Sequence, residues 1–417
     1  MKKVLLLAYH YPPYSGIAAR RAVGVVTFLP FFGWEPIVVA GDWKKDNTRY
    51  YDSKTLTEPL KKAIIRTCPT GSKNEQHPIL RQIKHRIIPL IQGERYPNKW
   101  FTNILSAGRE IIEQEQPDVI WATFSPPASL KAADALSRTY HVPWIADFRD
   151  TWRLLSKRFF WRYELPEKQL CKSASSIITV SQGLADELSQ RHQRPVVVIY
   201  NGFDPKLLNY LENSSSNNER QPNFTIVYTG NVLPGIHGQD PSPLFQALDY
   251  LLMDQKIDPV HISIHFIGST EQSLRAIQRF RSYEFVTITP WLPREQALQA
   301  QRNASILLHL ATPHIRGVLS GKIFEYLASG RPILSFPHDQ GGVSELLAQT
   351  RAGVSLVSAD EIAEQILLWY QEWQRSGTVR NNADIEIIKR YSKLEQARIL
   401  ASVLDEAAKQ SRKGFIT

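Results

Sequence analysis

Short apolar runs bounded by turn residues recur along the chain and alternate with amphipathic stretches. Apolar runs of this length are typical of strands that are buried on both faces of a parallel sheet, and the stretches between them of crossover helices. The pattern therefore predicts an α/β protein built from βαβ units. The predicted strands are Val4–Ala8, Ile37–Ala40, Asp118–Thr123, Val142–Ala146, Ile177–Val180, Val196–Tyr200, Phe224–Tyr228, Ile262–Ile267, Phe285–Thr289, Ile306–Leu310 and Arg331–Phe336.

A polar segment at residues 211–223, LENSSSNNERQPN, interrupts this alternation and is predicted to be a linker. A chain of 417 residues, 43% of them hydrophobic, is too long for one compact core and fits two domains. We therefore predict an N-terminal domain at residues 1–210 and a second domain at residues 224–385. Residues 386–417 are helical by pattern.

Residues 316–345, RGVLSGKIFEYLASGRPILSFPHDQGGVSE, carry the densest set of candidate functional groups. Ser320 is a candidate N-cap and Gly330 a stop signal, which predicts about three helical turns between them. Helical spacing places Lys322 and Glu325 on one face. The amino end of such a helix, opened by small residues, favours an anion. The alternative is an ordinary helix with a surface ion pair between these two side chains.

Composition limits the kinds of partner and the compartment that we expect for this protein. The net charge of +10 and the pI near 9.4 favour an acidic partner such as a phosphate, an anionic lipid or a nucleic acid. Two cysteines, Cys68 and Cys171, point to a reducing compartment. No run approaches the roughly 20 apolar residues that span a bilayer, so we expect a soluble or peripheral protein. The basic and apolar residues at 81–91 fit either a membrane surface or a solvated helix. The basic and aromatic residues at 156–168 fit either stacking on nucleic-acid bases or anchoring at a lipid headgroup layer.

Two polar loops follow neighbouring predicted strands of the first domain. One begins at Phe124-Ser125-Pro126-Pro127 and the other at Asp147-Phe148-Arg149-Asp150. Because ligands of parallel sheets bind outside the carboxyl ends of the strands, both loops are expected to border one crevice. These polar groups fit an acceptor site, or alternatively a helix cap and an ion pair of Arg149 with a carboxylate.

The segment at residues 317–345 resembles the nucleotide-sugar-binding element of GT-B glycosyltransferases of retaining family 4. In that family two glutamates separated by seven residues precede a Gly-x-Pro strand, and the second contacts the donor ribose. Glu325 stands at the second position, whereas Gly317 replaces the first glutamate. The resemblance implies two Rossmann-like α/β domains facing a central cleft, with C-terminal helices crossing back to the first domain.

The resemblance also implies a donor site in the second domain. The family usually places an Arg and a Lys after the first strand of this domain to neutralise the donor diphosphate, but here Asn231 follows Gly230. We expect Lys322, assisted by Arg316 or His237, to supply that charge. Trp291 is a candidate neighbour of the base, or alternatively a core residue. The predicted donor-binding residues are Gly230, Asn231, His237, Trp291, Arg316, Gly317, Ser320, Gly321, Lys322 and Glu325.

On the acceptor side, the Pro-Pro-x-x-Gly turn ending at Gly16 resembles the loop after the first strand of the family. The histidine that the family often carries in the first-domain cleft has no evident counterpart, because Ser125 stands near its position. The predicted acceptor-binding residues are Ser15, Gly16, Arg20, Ser125, Asp147, Arg149 and Asp150. The predicted catalytic residues are Lys322, Glu325, Asp147 and Arg149.

The expected activity is transfer of a sugar from a nucleoside-diphosphate sugar to a hydroxyl acceptor, with retention and without a metal or other cofactor. The chain lacks the Asp-x-Asp motif of metal-dependent transferases. By analogy the acceptor is a bacterial surface polysaccharide or a lipid-linked glycan, and the protein is cytoplasmic or peripheral at the inner face of the membrane. Nucleic acid is the less favoured partner. The alternatives are a GT-B nucleotide-sugar epimerase and a non-catalytic basic binding protein.

Overall fold

The computed structural model describes residues 1–43, 51, 52, 55, 60, 64–69, 98–150, 161–209, 221–312, 317, 319–339 and 341–414. The chain divides into two compact units. The first comprises residues 1–201 together with 393–417, and the second comprises residues 202–392. Each is built on one parallel sheet.

The first unit contains a seven-stranded parallel sheet in the order β3-β2-β1-β4-β5-β6-β7. Its elements are β1 (Lys2–Ala8), α1 (Arg20–Phe28), β2 (Trp34–Asp42), β3 (Ile64–Pro69), α2 (Asn98–Glu115), β4 (Val119–Phe124), α3 (Pro127–Tyr140), β5 (Trp144–Phe148), α4 (Trp161–Cys171), β6 (Ser176–Thr179), α5 (Gln182–His192) and β7 (Val197–Val198).

The second unit contains a six-stranded parallel sheet in the order β10-β9-β8-β11-β12-β13. Its elements are β8 (Phe224–Thr229), α6 (Pro234–His237), α7 (Ser242–Met253), β9 (Ile262–Ile267), β10 (Val286–Thr289), α8 (Arg294–Arg302), β11 (Ile306–Leu310), α9 (Gly321–Leu327), β12 (Ile333–Phe336), α10 (Gly342–Thr350), β13 (Gly353–Ser355), α11 (Ala359–Ser376) and α12 (Ile385–Lys389).

A last helix, α13 (Lys393–Gly414), follows the second unit in sequence but belongs to the first. Its Leu400 and Leu404 lie in one core with Val4 and Leu6 of β1 and with α1. The alternate residues of β1 lie in a separate core on the opposite face, with α2 and α3. Helix α13 therefore covers one face of the first sheet, and β1 is apolar from Val4 to Ala8 because both of its faces are buried there.

The strand order reverses once in each sheet, between β1 and β4 in the first and between β8 and β11 in the second. At such a switch point the connections leave in opposite directions and open a crevice beyond the carboxyl ends of the strands. His10 follows β1 and Ser125 follows β4, while Gly230 follows β8 and Ser320 lies between β11 and α9. The topology therefore places these candidate residues at the carboxyl edges of the two sheets.

The predicted α/β fold with two parallel-sheet domains is confirmed. Each predicted strand overlaps an observed one, but the short edge strands β3 and β13 were not predicted. Among the predicted boundaries that were wrong, two affect the candidate site. Helix α9 ends at Leu327 and has two turns rather than three, and β5 continues to Phe148, so Asp147 lies within the sheet rather than in a loop. None of the described helices is both long and apolar enough to cross a membrane.

Candidate functional site

Lys322 reaches the switch point of the second sheet from the first turn of α9. Its Nζ lies 3.8 Å from the centroid of the Tyr228 ring, a cation–π contact. A Cβ on Gly230 would lie 3.0 Å from the same Nζ, and Gly230 has a φ of +108°, which favours glycine. The end of β8 is therefore shaped to receive the Lys322 ammonium.

Burial lowers the pKa of Lys322 to about 7, although the neighbouring Glu325 carboxylate opposes that shift. The same ammonium also acts electrostatically on the buried His309 of β11. Burial and the Lys322 charge lower its pKa to about 3, so its ring is neutral and hydrogen-bonds Ser335 at 3.0 Å. A partly protonated lysine of this kind is stabilised by an anionic ligand that restores its charge.

The turn at Thr229-Gly230 is fixed by hydrogen bonds from three elements. The Thr229 backbone N–H donates to the Tyr326 hydroxyl at 2.8 Å, and Gln301 Nε2 donates to Thr229 Oγ1 at 3.0 Å. Ser269 Oγ donates to the Gly230 carbonyl at 2.8 Å. Tyr326 therefore links this turn to α9, the helix that carries Lys322. Sequence reasoning missed Tyr326, although a tyrosine on the apolar side of a helix needs a polar partner when buried.

Glu325 forms an ion pair across to α8. Arg294 Nε lies 3.3 Å from Glu325 Oε1, with the carboxylate largely buried and the guanidinium exposed. This contact differs from the predicted alternative, in which Glu325 pairs with Lys322 on the helix surface. It brings a second cation to the same edge of the sheet.

Gly317 has a structural reason for being glycine. Its φ is +70°, and a Cβ on Gly342, at the start of α10, would lie 3.0 Å from Gly317 Cα. The two backbones therefore approach closely, which a glutamate at position 317 would make difficult. Asp339 caps the adjoining helix by accepting hydrogen bonds from the N–H groups of Val343 and Ser344 at 2.8 and 2.7 Å.

The other predicted donor-binding residues, where the structure describes them, make none of the contacts given above. Ser320 occupies the N-cap position of α9, but its hydroxyl makes no capping hydrogen bond. Asn231 is exposed, and Trp291 is 78% exposed, so it is not a core residue. Gly321 begins α9. Arg316 and the side chain of His237 lie outside the described residues.

Asp147 is engaged within the first sheet. Arg21 donates from Nε to Asp147 Oδ2 at 2.9 Å and from Nη2 to Oδ1 at 2.7 Å, and both side chains are buried. Arg21 also donates from Nη1 to the Ile199 carbonyl at 2.7 Å. The pair joins α1 to β5 and to the chain after β7. Because both carboxylate oxygens are used in this way, the geometry favours a structural role for Asp147 over the predicted catalytic one.

Arg149 brings together the loops of the first unit. It donates from Nε to the Phe124 carbonyl at 2.7 Å and from Nη1 to the Ala18 carbonyl at 2.5 Å. The ends of β4 and β5 and the loop after β1 therefore meet, as expected for one crevice. Ser15 and Asp150 are exposed here. Arg20 lines a small cavity between α1 and α13.

His10 was missed by sequence reasoning. It hydrogen-bonds the backbone of Ser125, so it lies beside the position at which the resemblance led us to look for a histidine. Burial, assisted by the Arg149 charge, lowers the pKa of His10 to about 3. The signal available was a histidine directly after a buried strand, but its approach to Ser125 depends on β1 pairing with β4.

Among the described residues, no group of three or more His, Cys, Asp or Glu side chains is arranged to hold a metal ion. The chemistry of the second unit's edge is that of an anion site: an ammonium, a guanidinium and a glycine turn. Such an edge, on a Rossmann-like sheet, is suited to a phosphate-bearing ligand.

Comparison with known proteins agrees with these two units. Residues 62–207 match the family model described as Glycosyltransferase Family 4, and residues 223–372 match the one described as Glycosyl transferases group 1. No curated protein matches the chain.

Solved structures match nearly the whole chain. Anabaena HepE in complex with UDP and glucose has a TM-score of 0.63 at 16% identity, covering 97% of this chain and 100% of its own. A glycosyltransferase from Rickettsia africae has a TM-score of 0.63 at 15% identity, covering 98% and 99%. A UDP-GlcNAc 2-epimerase from Neisseria meningitidis has a TM-score of 0.56 at 14% identity, covering 96% and 99%.

The two parallel-sheet units and the two consecutive family matches define a glycosyltransferase of the GT-B class. Within that class, the chain has an architecture like that of the family 4 glycosyltransferases.

The buried pair of Arg21 and Asp147 yields a first prediction. Arg21→Met should destabilise the first unit by about 3–5 kcal/mol, because it leaves a buried carboxylate without its cation. Urea denaturation followed by circular dichroism measures this change. The matched control is Arg138→Met, which removes an exposed pair with Asp134 and should cost less than about 1 kcal/mol. Equal losses in the two variants would contradict the structural role of the buried pair.

Proposed function

We propose that this protein transfers a sugar from a nucleoside-diphosphate sugar to a hydroxyl group of an acceptor. The observation that carries the proposal is the position of Lys322, whose ammonium lies against the Tyr228 ring and the Gly230 turn at the switch point of the second sheet. This is where a Rossmann-like sheet binds the phosphates of a nucleotide.

The reaction needs stabilisation of a leaving group. When the bond between the anomeric carbon and the phosphate oxygen breaks, negative charge grows on the departing diphosphate. The bound diphosphate favours the protonated form of Lys322, whose Nζ lies against the Tyr228 ring, so little reorganisation is needed during the reaction. Lys322 thereby takes the task that an arginine usually performs at the position of Asn231.

Glu325 and Arg294 fit the remainder of the nucleotide. A carboxylate accepts hydrogen bonds from hydroxyl groups, and we assign Glu325 to the ribose, as in the resembling family. Arg294 then restrains the orientation of that carboxylate. The exposed Trp291 indole, in the loop after β10, is available to cover the base.

We further propose a retaining reaction without a metal. The resemblance supports retention, with the leaving phosphate accepting the proton of the acceptor hydroxyl. The cations Lys322 and Arg294 would provide the charge that a metal supplies in other transferases. The net charge of +10 supports an acidic or membrane-associated acceptor, and a bacterial surface polysaccharide or glycolipid made at the cytoplasmic face of the membrane is our assignment.

An epimerase is the second candidate, because a UDP-GlcNAc 2-epimerase shares the fold. Epimerisation requires carboxylates that act as acid and base. Two carboxylates near the described end of the second sheet, Glu325 and Asp339, are engaged by Arg294 and by the N-terminus of α10. This favours transfer.

A nucleotide panel tests the donor site. UDP, GDP and ADP are compared for their effect on the thermal unfolding of the full chain, with UDP as the expected ligand because it is bound in the similar Anabaena structure. A ligand at 100 times its Kd stabilises by about 2.7 kcal/mol. Glu325→Gln should reduce the stabilisation, whereas the exposed control Glu386→Gln should not.

The same panel identifies the alternatives. No stabilisation by any of the three nucleotides, or equal stabilisation in Glu325→Gln, would refute the donor site as we place it. Formation of an epimeric UDP-sugar from UDP-GlcNAc without an acceptor would instead establish the epimerase. Tight, salt-sensitive binding of nucleic acid alone would establish a basic binding protein.

The lowered pKa of Lys322 predicts a pH dependence of donor binding. The diphosphate binds the protonated lysine, so affinity for UDP-glucose should fall as pH rises above about 7, approaching a tenfold loss per pH unit. Isothermal titration between about pH 6.5 and 8.5 measures it. In Lys322→Arg the guanidinium stays charged, so the affinity should be nearly flat over this range. An equal slope in the variant would show that another group titrates.

The Tyr326 hydroxyl should position the donor turn. Tyr326→Phe leaves the buried Thr229 N–H without its acceptor and should weaken UDP-glucose binding by roughly tenfold. Tyr370→Phe is the matched control, because it removes a similar hydroxyl that accepts from Asp258 N at 3.0 Å, elsewhere in the second unit. If both variants bind UDP-glucose with wild-type affinity, Tyr326 contributes to stability alone.

A further inference from the structure

The switch point of the first sheet carries side chains that the donor site does not use. His10 follows β1 and Ser125 follows β4, and the two strands flank the point at which the strand order reverses. The imidazole of His10 hydrogen-bonds the Ser125 backbone, so the two loops are joined across the crevice that this topology opens.

The second ring nitrogen of His10 is unsatisfied. Its Nδ1 is buried and has no hydrogen-bond partner. A buried polar atom without a partner costs free energy, and such atoms mark places where a ligand or water completes the site. The Ser125 contact favours the protonated form of the ring, as a hydrogen bond donated to the Ser125 carbonyl does. In the neutral ring the other nitrogen, Nδ1, then offers a lone pair rather than a proton.

Two half-buried aromatic rings lie against this imidazole. The Trp43 ring is stacked on His10 with centroids 5.5 Å apart, and the Tyr14 ring lies at 4.8 Å. Tyr14 and Trp43 are themselves 4.6 Å apart. The Trp43 indole is held by a hydrogen bond from Nε1 to the Tyr9 carbonyl at 3.0 Å, so its plane is fixed before any ligand arrives.

Gly16 belongs to the same arrangement. A Cβ at this position would lie 2.4 Å from the Tyr14 ring, so glycine allows that ring to fold back over the turn. The Tyr14 and Trp43 rings lie against an imidazole whose Nδ1 is buried, so a ligand at Nδ1 would require the Tyr14 side chain to rotate. Glycine is therefore required at the end of the Pro-Pro-x-x-Gly turn because the Tyr14 ring occupies the space that a Cβ would need.

We propose that His10, Tyr14 and Trp43 bind the acceptor of the transfer as a sugar, with the aromatic rings against a face of the pyranose and His10 Nδ1 accepting a hydrogen bond from a sugar hydroxyl. This rests on the proposed function, because it names the substrate class of the acceptor side. His10 orients the sugar through this hydroxyl. The reacting hydroxyl is a different one on the same sugar, and its proton passes to the departing phosphate.

The chemistry favours a sugar over a phosphate-bearing lipid. A sugar ring presents C–H groups to an aromatic face and hydroxyl groups at its edge, which matches rings beside a hydrogen-bond acceptor. A phosphate would need hydrogen-bond donors, but Nδ1 offers only a lone pair. Arg149, whose charge acts on His10, already donates to the Phe124 and Ala18 carbonyls.

Saturation-transfer NMR on the full chain tests the proposal with the methyl glycosides of glucose, galactose, mannose and N-acetylglucosamine as probes. At least one should bind in the absence of a donor. Trp43→Leu should weaken it by at least tenfold and His10→Phe by roughly fivefold to tenfold. His10→Gln, which keeps an acceptor and a donor, should restore most of the affinity. His141→Asn, at an exposed helix end, is the control.

Thermal stabilisation by UDP, measured on the same samples, separates the two proposals. If UDP stabilises every variant while no glycoside binds, or while the glycoside binds His10→Phe and Trp43→Leu as tightly as wild type, the acceptor inference is wrong and the donor site stands. If farnesyl phosphate binds in place of the glycosides and the same substitutions weaken it, the acceptor is a lipid phosphate and the inference is also overturned. If UDP fails to stabilise the wild-type chain, the proposed function fails.

Discussion

A parallel sheet must be covered on both faces, and most of this structure follows from that constraint. Each parallel pair needs a crossover, the crossovers place helices on both faces, and the carboxyl ends of all strands fall on one edge. In the first unit the constraint also explains helix α13, which supplies Leu400 and Leu404 to a face that α1 covers only in part. The reversal of strand order then leaves one crevice at each edge, so the candidate residues gather there.

Both units place charges beside apolar groups, but they stabilise them differently. Arg21 and Asp147 neutralise each other within the first sheet, and the orientation of both is fixed by two parallel hydrogen bonds. Lys322 rests on a ring face, which offers less compensation than a carboxylate in contact, and its pKa falls. Arg21 and Asp147 thus satisfy each other's charge and hydrogen-bonding groups. Lys322 instead keeps an ammonium that an anion would stabilise.

The sequence allowed the strands to be predicted well where apolar runs were bounded by turn residues, as at Ile262–Ile267 and Ile306–Leu310. It located Lys322 and Glu325 because helical spacing is local. It failed where a partner is distant in sequence. The carboxylate of Asp147 looked like part of a loop because its partner Arg21 is 126 residues away, and an ion pair buried in a sheet leaves no periodic pattern. His10 was overlooked for the same reason.

The departures from the family pattern are consistent with one another. Gly317 stands in place of the usual glutamate with a φ of +70°, which favours glycine, and its Cα lies where a Cβ on Gly342 would come within 3.0 Å. Asn231 stands where the family usually has a cationic residue. The absence of a Cβ on Gly230 leaves room there for the Lys322 ammonium. Tyr326 then ties the turn before Gly230 to the helix that carries this lysine. If the donor phosphates bind at this turn, as we propose, Tyr326 keeps the turn and the helix at the fixed distance that contact with the Lys322 ammonium requires.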